Sequence, residues 1–301
     1  MKKAAIIIPY FGKWPEWFDL YLVSLSKNSK LDVIFYTDIP ISYNGIEQPS
    51  NAIFKHISFD SFCSLVSKKL NIIFSPEKPY KLCDLKPFYP IIFQEELKNY
   101  DYVGWGDIDL VYGDLNAFLL SEDFCKYDII STHCDRFSGH FCLFKNNPDL
   151  INKVLSIPNW RKLLSDNKHY GIDETLLTDI FLPRMDIPRR IFQKLGGYYG
   201  FGGKYFCRIL EYLIATCYPK IHMKEMWTTP KPPKGEYFWD GKKVYQANKK
   251  ELLYLHFLFF KKTPYFKKQK HYWDDNFYHL TRNDIKYNRI VKITSEGIYS
   301  L

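Results

Sequence analysis

Short apolar runs alternating with amphipathic stretches constrain this chain more than any other feature. Ala4-Ala5-Ile6-Ile7-Ile8 is closed by Pro9 and Gly12. A run with no polar face reads as a strand buried on both sides, the signature of a parallel sheet. Trp14, Trp17, Phe18, Tyr21, Leu22 and Leu25 then recur at three- and four-residue steps, with Glu16 and Asp19 in the first turns. That spacing predicts an amphipathic helix. A second strand is expected over 31–36, ending at Thr37-Asp38, and a third over 53–59. Asp60 is expected to cap a helix through Phe62, Leu65, Val66 and Leu70. Further strands are expected over 101–105, 128–131 and 139–145, and a helix over 173–182. Residues 79–98 read as helical with Leu82, Leu85, Tyr89, Ile92, Phe93 and Leu97 inward, interrupted by Pro87 and Pro90. The alternation implies an α/β, Rossmann-like fold with a mixed, mostly parallel sheet flanked by helices.

With 301 residues and 46% hydrophobic content, the chain can bury one sizeable core. Residues 1–190 read as that core. After residue 190 the texture changes. Gly196, Gly197, Gly200, Gly202 and Gly203 crowd a loop, prolines follow at 230, 232 and 233, and Asp240-Gly241 marks a β-hairpin turn. Residues 191–301 are therefore expected to form an acceptor-side loop region, the hairpin and a basic C-terminal segment that complete the same domain.

The formal net charge is +9, with lysine pairs gathered at 242–243, 249–250, 261–262 and 267–268. Such a surface attracts phosphates, whether of nucleic acid, anionic lipid or nucleotide. No helix-turn-helix, RNA-recognition or zinc pattern is present, so nucleic acid is not an expected partner. Lysines beside Tyr265, Phe266, Tyr272 and Trp273 predict that residues 249–273 lie peripheral to the core sheet and partly face an anionic membrane surface. The seven cysteines form no C-x-x-C pair. The opening apolar run is too short for a signal-peptide core, and no stretch of about 18 apolar residues exists. These features predict reduced thiols and a cytoplasmic protein, peripheral on the inner face of the cell membrane.

In α/β sheets ligands bind beyond the carboxyl ends of the strands. Attention falls on Tyr10-Phe11-Gly12, on Asp38 and above all on Trp105-Gly106-Asp107-Ile108-Asp109-Leu110. Asp107 and Asp109, two residues apart at a strand end, suit one hard divalent cation held between protein and phosphates, manganese or magnesium being the natural choices. A sugar diphosphate carries the matching charge, and its departure as a nucleotide calls for neutralisation. Asp173 and Glu174 stand at a helix start. Carboxylates there complement the helix dipole, or act as base, nucleophile or hydroxyl ligand. His256 lies in an apolar run followed by Lys261 and Lys262. It is either a hydrogen-bonded core histidine or a third metal ligand, with the lysines reaching diphosphate oxygens.

Residues 105–120 resemble the metal-binding region of GT-A glycosyltransferases, above all the blood-group and α-1,3-galactosyltransferase family. That family also carries an Asp-Glu-Ser-x-Leu segment, matched here by Asp173-Glu174-Thr175-Leu176-Leu177, although its preceding histidine is Ile172 here. The resemblance implies that Glu174 sits near the donor's anomeric carbon, with retention of configuration. His256-Phe257 with the downstream lysines resembles the segment of glycogenin-like transferases in which a histidine completes the metal shell. Lys81-Leu82-Cys83-Asp84-Leu85-Lys86-Pro87 ahead of Gly106-Asp107-Ile108-Asp109 is similar to a family from bacterial capsule and lipopolysaccharide gene clusters, over residues 1 to about 290. These likenesses imply a GT-A fold and transfer from a nucleotide-sugar donor, a UDP-sugar, to a glycan or lipid-linked glycan acceptor. Lys81, Asp84 and Lys86 join Asp38, Asp107, Lys261 and Lys262 as expected donor contacts. The competing readings are a metal-dependent nucleotidyl- or phosphoryl transferase, for which no P-loop pattern is present, and a non-catalytic glycan-binding protein.

Overall fold

The computed structural model describes residues 3–15, 17–41, 48–260, 263 and 290–301. The strands β1 (Ala4–Pro9), β2 (Leu31–Thr37), β3 (Ala52–His56) and β4 (Tyr102–Gly106) run parallel in the order β3-β2-β1-β4. The chain leaves β4 through Asp107–Asp109 into β5 (Leu110–Tyr112), outside this sheet. It re-enters as β6 (Ile129–Ser131) and β7 (Phe141–Lys145), and β7 pairs antiparallel to both β4 and β6. β8 (Ile221–Met223), from beyond residue 190, completes seven strands by pairing parallel to β6. The α/β architecture with a mixed, mostly parallel sheet is the one expected.

β1 is apolar throughout because both its faces are covered. Ala5 and Ile7 join the core beneath α2 (Phe59–Leu70), with Phe62, Val66 and Phe93. Ile6 and Ile8 point the other way, to Phe18, Tyr21 and Leu22 of α1 (Phe18–Ser26). The cap of α2 differs from expectation. Ser58 is the N-cap, its Oγ accepting from Ser61 N at 3.1 Å, and Asp60 sits in the first turn, where its charge still suits the helix dipole. Residues 79–98 fold as five short turns, with Pro79, Pro87 and Pro90 each at the start of one. Each proline lacks the N–H that a continuing helix would use. The inner face expected for the segment is buried, from Leu82 to Leu97.

Two helices, Asp186–Lys194 and Gly203–Cys217, flank the glycine-rich stretch read from sequence as a loop. A second sheet holds β9 (Tyr237–Trp239), β10 (Val244–Gln246), β11 (Glu251–Leu252), β13 (Val291–Thr294) and β14 (Gly297–Ser300), in the order β11-β10-β9-β13-β14. The expected Asp-Gly hairpin is its β9-β10 pair. Between β11 and β13, the strand β12 (Tyr254–His256) pairs antiparallel with β5. Leu253, Tyr254, Leu255 and His256 are buried, so this part of 249–273 lies inside the protein rather than peripheral to it. Lys261, Lys262 and residues 264–273 lie outside the described residues. Among the described residues no helix is long and apolar enough to cross a membrane.

β4 and β7 approach so closely at Gly104 that a Cβ there would stand 1.9 Å from the Cys142 carbonyl oxygen. Backbone on both sides leaves no flexible atom to yield. Gly104→Ala should therefore cost about 3 kcal/mol or more, beyond ordinary overpacking. Urea denaturation of the purified variant checks this; a loss under 1 kcal/mol would contradict the packing described.

Candidate active site

The parallel strands β1 and β4 end side by side, and a cavity of about 590 Å³ opens beyond them. Tyr10, Phe11 and Trp17 line one side of it. Its floor is the β4–β5 connection. Asp107 N donates to His140 O at 3.1 Å, and Trp17 Nε1 to Ile108 O at 3.1 Å, which fix the backbone of this turn. The β5-β12 register sets His256 opposite Leu110, and Phe257 N donates to Asp109 O at 2.8 Å. A residue from the far end of the sequence is thereby locked beside the strand-end carboxylates. His256 Nε2 stands 3.3 Å from Asp109 Oδ2.

Asp107, Asp109 and His256 each offer a ligand atom, and these atoms lie within 4.8 Å of one another. Two carboxylate oxygens and an imidazole nitrogen suit manganese or magnesium. The Nδ1 of His256 is buried and has no hydrogen-bond partner among the described residues, so the ring is not consumed by hydrogen bonding within them. The donor set fits a divalent cation.

Lys86 is the buried cation of the site. Its Nζ donates to Asp107 Oδ1 at 2.7 Å and to Gly139 O at 2.7 Å, and lies 3.8 Å from Asp173 Oδ2. Burial opposes its charge, yet Asp107 and the other negative neighbours hold the ammonium well above its ordinary range. Asp173 shows the reverse balance. Burial pushes its carboxyl up to about 7; Lys86 works against the rise, while Glu174 and Asp107 add to it. Both Asp173 and Glu174 reach the cavity because residue 139 is glycine. A Cβ there would lie 2.8 Å from Asp173 Oδ2 and 2.9 Å from Glu174 Oε1.

Of the residues expected at the donor, Lys86 and Asp107 line the cavity, with Asp109, Asp173, Glu174 and His256. Asp38, Lys81 and Asp84 do not. Asp38 is exposed, its Oδ1 receiving Gly12 N at 3.4 Å. Lys81 and Asp84 are buried behind the wall as an ion pair at 3.0 Å. Lys81 Nζ also donates to Leu163 O at 2.7 Å and to Lys168 O. Asp84 accepts from Tyr170 N at 2.9 Å and Ile172 N at 3.1 Å, and His169 Nδ1 lies 3.2 Å from it. The pair thus clamps the segment leading into Asp173 and Glu174. Lys261 and Lys262 lie outside the described residues.

Sequence reasoning missed the opposite wall, where His133, Arg136, His140 and Trp227 line the cavity. Arg136 Nε donates to Glu174 Oε2 at 3.2 Å and its Nη1 to Asp135 Oδ2 at 2.9 Å. Burial works against the Asp135 charge, yet Arg136 and His133 hold its carboxyl below the ordinary range. The signal was available. Thr132-His133-Cys134-Asp135-Arg136 follows β6, and the strand-end rule applied there would have found it.

An acidic strand-end turn closed by an imidazole thus shares one cavity with a carboxylate pair at the edge of an α/β sheet, and its three donor atoms could hold a metal ion. The chain belongs to the family of unknown function DUF6625, whose profile matches residues 6–289. No curated protein matches it. Its structure is similar to that of the glycosyltransferase GlyE of Streptococcus pneumoniae TIGR4, at 13% identity over 95% of this chain, with a TM-score of 0.38. This chain spans 62% of the length of that one. It is also similar to the galactosyltransferase LgtC in complex with donor and acceptor sugar analogs, at 13% identity over 59% of this chain and 69% of that one, with a TM-score of 0.32.

Asp84→Asn should destabilise the protein by about 3–5 kcal/mol, because it leaves the Lys81 ammonium buried without its counter-charge. Urea denaturation reads the loss, and a change below 1 kcal/mol would refute the clamp. Asp173 gives a pH signature. Its folded pKa of about 7 lies above the ordinary 3.8, so the stability it contributes is full below about 3.8 and is lost as pH rises through 7. In chelator, the wild type should lose on the order of 2–4 kcal/mol relative to Asp173→Asn between pH 5 and 8. Parallel stability curves for the two proteins would refute the shift.

Proposed function

We propose that the protein is a metal-dependent glycosyltransferase of GT-A type. It moves a sugar from a nucleotide-diphosphate donor, a UDP-sugar, to a glycan acceptor. The observation that carries this reading is the β5-β12 register, which gathers Asp107, Asp109 and His256 at the floor of the cavity. These three would hold the cation, which when bound neutralises the diphosphate of the departing nucleotide. Lys86 orients Asp107 through its 2.7 Å bond and adds positive charge on the same side. Tyr10 and Phe11, beyond the end of β1, offer flat faces to the nucleotide.

Glu174 and Asp173 take the reacting side. Glu174 is held by Arg136 at 3.2 Å, and its carboxylate supplies negative charge toward an oxocarbenium-like state. Asp173, with its carboxyl raised to about 7, exchanges a proton near neutral pH. Facing carboxylate and leaving diphosphate across one cleft are compatible with retention of configuration. The likeness of the Lys81–Pro87 and Asp107–Asp109 segments to proteins of capsule and lipopolysaccharide gene clusters supports surface polysaccharide as the product, O-antigen or capsule.

A thermal-shift screen of UDP-sugars with and without manganese tests the donor. Stabilisation should require both together. Asp109→Asn should abolish manganese-dependent donor binding and cut turnover by about 100-fold or more. His256→Ala should weaken donor binding more than it slows turnover. Glu174→Gln should do the opposite, lowering turnover about 100-fold with donor affinity nearly intact. Wild-type turnover in Asp109→Asn under chelator control would sink the metal assignment. Release of pyrophosphate rather than nucleoside diphosphate would assign nucleotidyl transfer instead.

A further inference from the structure

The helices Asp186–Lys194 and Gly203–Cys217 each turn an apolar stripe outward. Ile187, Ile191 and Leu195, at four-residue steps, are 71%, 53% and 45% exposed. Phe201, at the turn between the helices, is 93% exposed, and Tyr205, Ile209 and Tyr212 continue from it along the second helix. These are not residues that failed to find the core. The inner faces of the same helices are already buried through Phe192, Cys207, Leu210 and Ile214. Singly exposed apolar residues are ordinary, but exposed apolar residues repeated along two neighbouring, mutually packed helices mark a docking surface.

The charges around the patch are predominantly basic. Arg184, Arg190, Lys194, Lys204 and Arg208 are exposed around and between the stripes. The two carboxylates of the stretch are engaged: Asp186 accepts from Arg190 Nε at 2.6 Å and Glu211 from Glu225 N at 3.0 Å. Aromatic and aliphatic side chains with a basic rim match the boundary of an anionic bilayer, where rings enter among the headgroups and lysines and arginines meet the lipid phosphates. A second copy of the same face would instead meet its own positive rim.

We propose that this helix pair docks the protein on an anionic lipid bilayer, with Phe201 and Tyr205 leading. The patch adjoins the cleft. Arg189 Nε, from the first helix, donates to Asp135 O at 2.7 Å, and Gln193 Nε2 to Asp135 Oδ2 at 3.0 Å. Asp135 in turn holds Arg136, which lines the cavity. Docking on this face therefore presents the carboxylate side of the cleft next to the membrane, where the glycan of a lipid-linked acceptor lies. The docking itself does not rest on the glycosyltransferase reading, since it is read with neither donor nor acceptor.

The test is co-sedimentation with phosphatidylcholine vesicles with or without about 30 mol% phosphatidylglycerol, at roughly 0.1 M salt. The wild type should bind the anionic vesicles and not the neutral ones. The triple variant Phe201→Ser, Tyr205→Ser, Ile209→Ser should lose roughly tenfold or more in binding with its melting temperature unchanged. A charge variant, Lys194→Gln, Lys204→Gln, Arg208→Gln, leaves the apolar face intact and should lose binding as well. Failure of the wild type to bind, or wild-type binding by both variants, overturns the proposal. So does a wild-type dimer in size-exclusion chromatography that the triple variant converts to monomer, since the face would then belong to a second copy.

Discussion

Three residue pairs of antiparallel sheet, β5 against β12, hold the site together. Without that pairing, Asp107 and Asp109 would be an acidic turn at a strand end, and His256 one more histidine in an apolar run. With it, Phe257 N is committed to Asp109 O and the imidazole is delivered to within 3.3 Å of the Asp109 carboxylate. The pairing is itself guarded by burial. Leu110, Val111, Tyr112, Tyr254 and Leu255 are fully enclosed, and Trp239 Nε1 donates to Tyr112 O from the second sheet. A one-residue slip would turn every one of these side chains to the wrong face, so the register is strongly specified.

The second organising element is charge placed where water is not. Lys86 lies among Asp107, Asp173 and the Gly139 carbonyl, and each carboxylate depends on that one ammonium. Removing it would leave two acids close together in a dry wall, a costly arrangement. The two acids have different surroundings. Asp107 receives a direct 2.7 Å bond and remains partly exposed. Asp173 is more deeply enclosed, 3.8 Å from the ammonium and beside Glu174, so its proton is retained to higher pH. One lysine thereby bonds one carboxylate directly and opposes, at longer range, the rise that burial imposes on the other.

How much of this was legible follows from range. The strands of the parallel sheet announce themselves because burial on both faces forces continuous apolar runs, as in 4–8 and 31–36. The Asp-x-Asp turn and the carboxylates at 173–174 were readable for the same local reason: strand ends and helix starts bear characteristic residues. Lys81 and Asp84 were misread because their partners lie more than 80 residues away, at Leu163, Lys168, Tyr170 and Ile172. No periodicity in the local sequence reports that clamp. The helices at 186–194 and 203–217 were hidden by Pro188 and by the glycines between them, which look like loop composition.

The exposed apolar residues of the second of these helices are informative once the structure is known. A helix that shows apolar residues on two faces has two surfaces to satisfy, and the fold satisfies only one of them here. The link through Asp135 gives the other face a mechanical consequence. Its carbonyl is bound to Arg189 and its carboxylate to Gln193 and Arg136, while Arg136 reaches Glu174. These are charge-assisted bonds among buried or half-buried groups, the strongest kind available to a protein and the least tolerant of drift. The helix pair and the carboxylate wall of the cleft are therefore tied together by one continuous run of hydrogen bonds. On the docking proposed above, seating the former on a bilayer would fix the height and tilt of the latter, and so restrict the acceptors that could reach Glu174 to those held at that depth.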